Sequence, residues 1–350
     1  MTNRIPAIAV LCACALAPAT VSADEFFAGK TITISIGSGA GGSYDAYARL
    51  MSRHLGQHLP GNPTMVPKNM PGAGGTRVAA FIYSVAPKDG TQLGATLNTI
   101  PIFQLLNPGK AKYDVGKFNW IGTTASPTNV LVVWHSTGFK TLTDATKKQI
   151  AVGATTPGTT QEMYPLMANR LFGTKFKVVL GYGSATEVNK AMESGEVSGR
   201  GSNSWMSYTF QNPQWVKEKK IVPLFQMTLE RDPMLKEVPT LIEYARNDEE
   251  RQVISLLATT ETIGRAMMAP PGVPTERIAL LRKAFMSAIG DPKLLADASR
   301  AKLEIQPIEG TKLQKMVEGI SAASPAVVAR FKAAVATENT GGGKKKKKSQ

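Results

Sequence analysis

The stretch TITISIGSGAGGSYDAYARL, residues 31–50, carries the first decision about this fold. Alternating Thr and Ile over 31–36 predict a strand, and the segment after Gly42 predicts a helix. Gly37, Gly39 and Gly42 join the two at the spacing G-x-G-x-x-G, the dinucleotide-binding fingerprint in its expected setting. A dinucleotide site also needs an acidic residue about 20 positions on, at the end of the second strand, for the ribose hydroxyls. No Asp or Glu occurs between Asp45 and Asp89, and the second strand ends in Pro67-Lys68-Asn69. A Walker loop is excluded because Ser43 and Tyr44, rather than Lys and Ser/Thr, follow Gly42. What remains is a loop whose glycines allow close backbone approach and whose helix start favours an anion. By itself it reads equally as a tight turn that binds nothing.

The same rhythm extends outward from this stretch. Strands over 31–36, 64–67 and 92–97 alternate with helices over 43–59 and 74–85, which predicts βαβ units. Asn119-Trp120-Ile121 and the apolar run Val130 to Trp134 follow. The pattern then restarts as strand 150–153, helix 160–172, strand 177–180, helix 184–193 and strand 196–199. A strand near 263–269 and helices over 274–289, 291–300 and 310–337 complete the chain. The expectation is two α/β domains joined by crossover strands, with a cleft between them.

Further small-residue loops point at that cleft. Asn69-Met70-Pro71-Gly72-Ala73-Gly74-Gly75 opens the second helix, and Ala95-Thr96-Leu97-Asn98-Thr99 closes the third strand. In the second half, Ala154 to Thr160, Gly181-Tyr182-Gly183-Ser184 and Gly201-Ser202-Asn203-Ser204-Trp205 repeat that chemistry. Loops of N–H and hydroxyl donors after strands suit the hydrogen bonding of a carboxylate.

Composition narrows the classes. Residues 1–23 carry Arg4, an apolar stretch from about Ile5 to Ala17 and Val21-Ser22-Ala23, so they predict a signal peptide cleaved before Asp24. Lipoprotein processing at Cys14 is the alternative. Cys12 and Cys14 are the only cysteines, which leaves the exported chain without a disulfide, a thiolate nucleophile or a cysteine metal site. Of the net charge of +15, five charges lie in Lys344–Lys348, a low-complexity tail expected to be disordered. Residues 24–340 carry 35 basic and 26 acidic side chains, scattered and rarely beside aromatics. That is a surface favouring small anions, not a nucleic-acid stripe. His54 and His58 have the i, i+4 spacing of a zinc pair, but Leu55 stands where a metalloprotease has Glu and no third ligand is evident. No G-x-S-x-G elbow announces a hydrolase.

GSGAGGSYDAYARLMSRHLGQHLPGNPTMVPKNMPGAGG, VAPKDGTQLG, GYGSATEVNKAMESGEVSG and MMAPPGVPTERIALLRKAF occur in that order. Over about Phe26 to Ala336 the chain resembles the TctC-like Bug receptors of tripartite tricarboxylate transporters. The resemblance implies a type II-like periplasmic binding protein fold, each domain a mainly parallel sheet flanked by helices. It implies domain 1 over 24–124 plus 258–338, domain 2 over 125–257, and a tail over 339–350. It further implies a monomeric periplasmic receptor, not an enzyme, that closes on a small organic carboxylate, either a di- or tricarboxylate or an aromatic acid. The receptor would pass this solute to integral-membrane transporter subunits, with no cofactor, metal or nucleic acid. The first loop departs from the family's usual Pro-Pro-Gly-Gly-Pro-Thr-Asp pattern: both prolines are missing and Tyr44 replaces Thr.

The ligand-binding candidates are Ser38, Gly39, Ala40, Gly41, Gly42, Ser43, Tyr44, Ala73, Gly74 and Asn98 from the first domain. Thr156, Thr159, Thr160, Tyr182, Ser184, Asn203 and Trp205 are those from the second. Arg200 reads either as an anion contact or as an arginine in an interdomain salt bridge. Asp45 complements the macrodipole of its helix and should turn away from an anionic ligand. Two further functions stay open: a periplasmic sensor that contacts a signalling partner, and a dinucleotide-dependent α/β enzyme.

Overall fold

The computed structural model describes residues 26–155 and 157–337. The leader with its two cysteines, Thr156 and the lysine tail lie outside them.

The first sheet grows from the opening stretch. In β1 (Thr31–Ile36) the alternation puts Ile32, Ile34 and Ile36 fully in the core. α1 (Ser43–His54) lays Tyr47, Ala48, Leu50 and Met51 over that face. β2 (Thr64–Asn69), α2 (Thr76–Ser84), β3 (Gln92–Ala95), α3 (Ile100–Leu106) and β4 (Asn119–Thr123) continue the chain. It then crosses to a second sheet built from β5 (Asn129–Trp134), β6 (Ile150–Gly153), α4 (Thr160–Phe172), β7 (Phe176–Val179), α5 (Ala185–Glu193) and β8 (Gly199–Ser204). α6 (Trp205–Gln211), α7 (Pro213–Lys217) and β9 (Ile221–Gln226) complete it. The return runs through α8 (Asp248–Ile263) into β10 (Ala266–Ala269), α9 (Thr275–Ile289), α10 (Pro292–Arg300), β11 (Ile308–Glu309), α11 (Gly310–Ser321) and α12 (Pro325–Val335).

Strand order is β11-β4-β10-β3-β1-β2 in one sheet and β7-β6-β8-β5-β9 in the other. β2, β1 and β3 pair in parallel, as do β7, β6 and β8. The strands next to the crossovers pair antiparallel, so both sheets are mixed rather than mainly parallel. A chain that enters one sheet from the other arrives from the cleft side, which reverses its direction.

Three sequence expectations change. The strand expected at 196–199 lies at Gly199–Ser204, because β5 and β6 flank it and draw the small polar run into the ladders. The helix expected over 310–337 breaks at Ala322–Ser324, where Ser324 caps a new helix with Pro325 in its first turn. α8 was not anticipated. It starts where the Asn247 side chain accepts from the Glu250 N–H, with Asp248, Glu249 and Glu250 in the first turn. Its last residue, Ile263, lies where a strand was expected to begin.

One apolar cluster runs from Val78, Ile82 and Trp120 on the first sheet through Ile254, Leu257 and Phe331 to Tyr164 and Leu131 on the second. Helices α8, α11 and α12 therefore tie both sheets together on one side. At the end of α8 the two crossover segments also touch. Arg265 N–H donates to Ala125 O at 2.9 Å, and Thr124 N–H donates to Arg265 O at 3.2 Å. Gly264 lies between them at φ +60°, and a Cβ there would stand 1.9 Å from Ala125 O. Gly264→Ala should therefore lower the free energy of unfolding by at least about 2 kcal/mol, measured by urea denaturation. Ala at exposed Gly109, which has open space around it, serves as the control and should change stability little.

Candidate functional site

The loop from Gly39 to Ser43 is closed by its own helix. Gly41, at φ +82°, donates its N–H to Asp45 Oδ2 at 2.9 Å. Arg49 Nε donates to both Asp45 oxygens at 2.9 and 3.0 Å, and Asn69 Nδ2 donates to Oδ1 at 2.8 Å and to Ser38 O at 3.0 Å. Burial pushes the Asp45 carboxyl up, but the hydrogen bonds from Arg49, Gly41 and Asn69 outweigh it and hold the group below its ordinary value. The acid lies in the first turn of its helix, as the sequence predicts, and turns into the loop that precedes it. The second half repeats the device. Gly158 N–H donates to Glu162 Oε2 at 2.6 Å, and Gly183 N–H donates to Glu187 Oε2 at 2.8 Å. Each acid lies four residues after the glycine it binds, so these three glycine N–H groups already have an anion in cis.

The cleft holds a cavity of about 440 Å³ whose walls include Tyr44, Gly74, Asn98 and Thr99 from the first sheet's loops and Asn129, Pro157, Gly158, Thr159, Thr160 and Gln161 from the second. Glu261 and Arg265, which flank the return crossover, border it as well. A neighbouring chamber of about 410 Å³ shares Gly74, Thr99, Pro157 and Gly158 and adds Ala73, Ile102, Phe103, Leu106 and Met163. A third space of about 330 Å³, also bordered by Arg265, separates Gly41, Gly42 and Ser43 from Ser204, Met206 and Phe210.

Arg265 is the only cationic side chain bordering the 440 Å³ cavity among the described residues. Its guanidinium stacks on the Tyr44 ring at 4.6 Å, a cation–π contact that holds the fork in place. Nη2 lies 3.5 Å from Ser43 Oγ, and Nε is buried without a hydrogen-bond partner. Tyr44 OH donates to Asn98 Oδ1 at 2.8 Å and accepts from Asn98 N–H at 3.3 Å. Glu261 is 3 % exposed. Asn129 Nδ2 donates to its Oε2, while Oε1 has no hydrogen-bond partner within reach. Burial pushes the Glu261 carboxyl up to about 7, although nearby Arg265 and the Asn129, Asn98 and Tyr164 side chains act to lower it. Across Arg265, burial and Asp232 raise Glu304 to about 7 against the pull of the same arginine.

Tyr44, Gly74, Asn98, Thr159 and Thr160 thus share one cavity, with Ala73 at the next. Ser38 has a buried hydroxyl without a partner, and Gly39 and Ala40 are exposed on the loop. Thr160 Oγ1 donates to Ser202 Oγ at 3.3 Å, an approach made possible by Gly201, where a Cβ would meet Gln161 O at 1.8 Å. Ser38, Gly39 and Ala40 border none of the three spaces, and neither do the next four expected contacts. Tyr182 OH donates to Glu196 Oε1 at 2.7 Å, and Ser184 caps α5 by accepting from Glu187 N–H at 3.2 Å. Asn203 pairs with Val130 within the sheet, and Trp205 packs against Tyr208. Arg200 is neither a cleft contact nor a surface ion pair. It is 3 % exposed, and Nη1 donates to Asn189 Oδ1 at 3.0 Å and to Ala185 O at 3.4 Å. His54 and His58 bond separately to Asp297 and Asp291 at 2.8 and 3.1 Å, fastening α1 and the turn after it to α10. No group of three metal-ligating side chains occurs among the described residues.

The sequence reading missed Glu261, Arg265 and Asn129. They belong to no glycine loop, and from sequence Ile263 to Arg265 read only as the start of a strand. An acid and an arginine four residues apart, separated by Gly264 at a helix end, were the available signal.

Two mixed sheets joined by paired crossovers around a polar cleft define the class: this is the two-domain periplasmic binding protein fold. No family model matches the chain. A UPF0065 protein in the gbd 5' region of Cupriavidus necator is 26% identical over 299 residues, 83% of this chain and 83% of that protein. A TctC solute binding protein from Polaromonas has a TM-score of 0.67 at 19% identity, covering 87% of this chain and 98% of that one. MatC from Rhodopseudomonas palustris, solved with bound malate, has a TM-score of 0.59 at 19% identity, covering 87% and 99%. The chain is therefore similar in fold to TctC- and Bug-type solute-binding proteins, as its ordered motifs implied.

The raised Glu261 carboxyl gives a pH signature. Below about pH 4.5 the group is protonated in both the folded and unfolded chain. Between 4.5 and about 7 the folded protein keeps a proton that the unfolded chain has lost, so this group lowers stability as pH rises through that window. Glu261→Gln removes the buried charge. It should stabilise the protein by up to about 3 kcal/mol at pH 8, and the gain should vanish near pH 4.5, measured by denaturant unfolding across pH.

Proposed function

We propose that this protein is an extracytoplasmic solute receptor. It captures a small organic carboxylate between the halves 24–124 plus 258–338 and 125–257, and it delivers that solute to a tripartite tricarboxylate-type secondary transporter. The observation that carries this reading is the cavity at the crossovers. Among the described residues it is lined from both halves by amide and hydroxyl groups and holds one arginine, fixed by stacking and with no acidic partner within 4.0 Å. A carboxylate on Arg265 would gain charge-assisted hydrogen bonds. Thr159 and Thr160 would close over it from the far side, since they gain contacts only when the halves approach.

The bound malate in MatC supports a carboxylate ligand, and the likeness to the periplasmic binding protein BugD supports export through the leader over residues 1–23; in this reading the receptor acts as a monomer. Relatives that are binding proteins, rather than enzymes, support a cleft that binds without turnover. No helix among the described residues is long and apolar enough to cross a membrane; in this reading delivery uses separate membrane subunits.

A thermal-shift screen of mono-, di- and tricarboxylates, aromatic acids and amino acids, followed by calorimetry, tests the proposal. A ligand at a hundred times its Kd should add about 2.7 kcal/mol of stability. Arg265→Ala should weaken that ligand roughly tenfold to a hundredfold, the loss expected for a charge-assisted hydrogen bond. Stabilisation by NAD(P) alone would overturn the receptor reading.

A further inference from the structure

The cavity that holds Arg265 also holds an acid. Glu261 and Arg265 border the same 440 Å³ space and lie close enough to influence one another, yet no ion pair of 4.0 Å or less joins them. Glu261 Oε1 and the hydroxyl of Tyr164 beside it are buried without hydrogen-bond partners. A carboxylate oxygen and a hydroxyl left unpaired in this way each carry a desolvation cost of about 1–3 kcal/mol and call for an explanation. A plain carboxylate accounts for Arg265 and leaves the acid worse off, because a second anion then enters its surroundings.

The adjoining chamber differs in character. Beyond the edge it shares with the polar cavity, Ala73, Ile102, Phe103, Leu106 and Met163 form its walls, with Asn107 the one polar side chain among the described residues there. A polar end carrying both charge signs therefore opens into an apolar end.

We propose that the solute is an amino acid with an apolar side chain, its carboxylate on Arg265, its ammonium on Glu261 and its side chain in the chamber formed by Ile102, Phe103, Leu106 and Met163. This rests on the carboxylate-receptor reading and narrows it. Glu261 becomes the residue that separates amino acids from their deaminated counterparts, since an ammonium gives Oε1 the donor it lacks while a methylene leaves it orphaned. The raised carboxyl of Glu261 fits this role: a cation at that oxygen favours the ionised form, so capture expels a proton.

Calorimetry of the mature protein with L-phenylalanine, L-leucine, 3-phenylpropanoate, 4-methylpentanoate and L-aspartate decides it. The two apolar amino acids should bind at least tenfold tighter than their deaminated analogues and than aspartate. Glu261→Gln should remove most of that preference while strengthening the analogues, because it removes the repelling charge. Should that variant fail to fold, titration of the unaltered protein at pH 7 in two buffers of different ionisation enthalpy gives the same answer. An ammonium ligand should release up to about half a proton per site, whereas a simple carboxylate should take protons up. Equal or tighter binding of the analogues, or proton uptake with phenylalanine, would overturn the assignment to Glu261 and leave the carboxylate receptor intact. Tighter binding of aspartate would overturn the apolar-chamber assignment. Binding of no carboxylate or amino acid at all, here and in the wider screen, would overturn the receptor reading itself.

Discussion

Two chain segments that must pass between the sheets side by side constrain everything else in this protein. At Thr124–Ala125 and Gly264–Arg265 the outgoing and returning backbones hydrogen-bond to one another, with Gly264 so close to Ala125 O that no side chain fits. This contact joins the sheets at the C-terminal end of α8, in addition to the apolar body formed by α8, α11 and α12. It also sets the register of Arg265: one residue past the glycine, the side chain emerges at the cleft and stacks on Tyr44. The crossover pair is thus both the joint of the fold and the support of the one cation that borders the 440 Å³ cavity among the described residues.

The glycine loops behave differently from the anion cradles they resemble. In a nucleotide-binding loop the free N–H groups at a helix start wait for phosphate. Here Asp45, Glu162 and Glu187 each fold back onto the N–H of the glycine four residues earlier. The loops gain rigidity, and in the proposed receptor the recognition of a carboxylate falls to Arg265 and the surrounding hydroxyls and amides instead of these three amides. A glycine fingerprint therefore measures how closely a backbone can be approached; it does not say whether the approaching anion is a ligand or the protein's own carboxylate.

Much of this architecture is written locally. The alternation in Thr31–Ile36, the caps at Asn247 and Ser324 and the stop at Pro325 act within a few residues, where period and capping chemistry speak directly. The strand-to-helix rhythm predicted both halves of the fold for that reason. Gly199–Ser204 was harder, since nothing in a run of Gly, Ser, Asn and Arg favours a strand until β5 and β6 close on both of its edges. α8 was missed although its capping signal was present.

The site divides along the same line. Tyr44, Gly74, Asn98, Thr159 and Thr160 were legible because loops after strands of one sheet must gather at one edge. Arg200 could not be placed from sequence, because only the packing of α5 against β8 puts a guanidinium among Asn189 and Ala185 instead of in the cleft. Glu261 is an ordinary residue near the end of a helix until tertiary contacts strip away its water and raise its carboxyl. Sequence by itself determined the elements, the glycine turns and the order of the loops, which depend on neighbours in the chain. Only the tertiary structure decided which charges meet, because desolvation and the field at a site come from groups far apart in sequence.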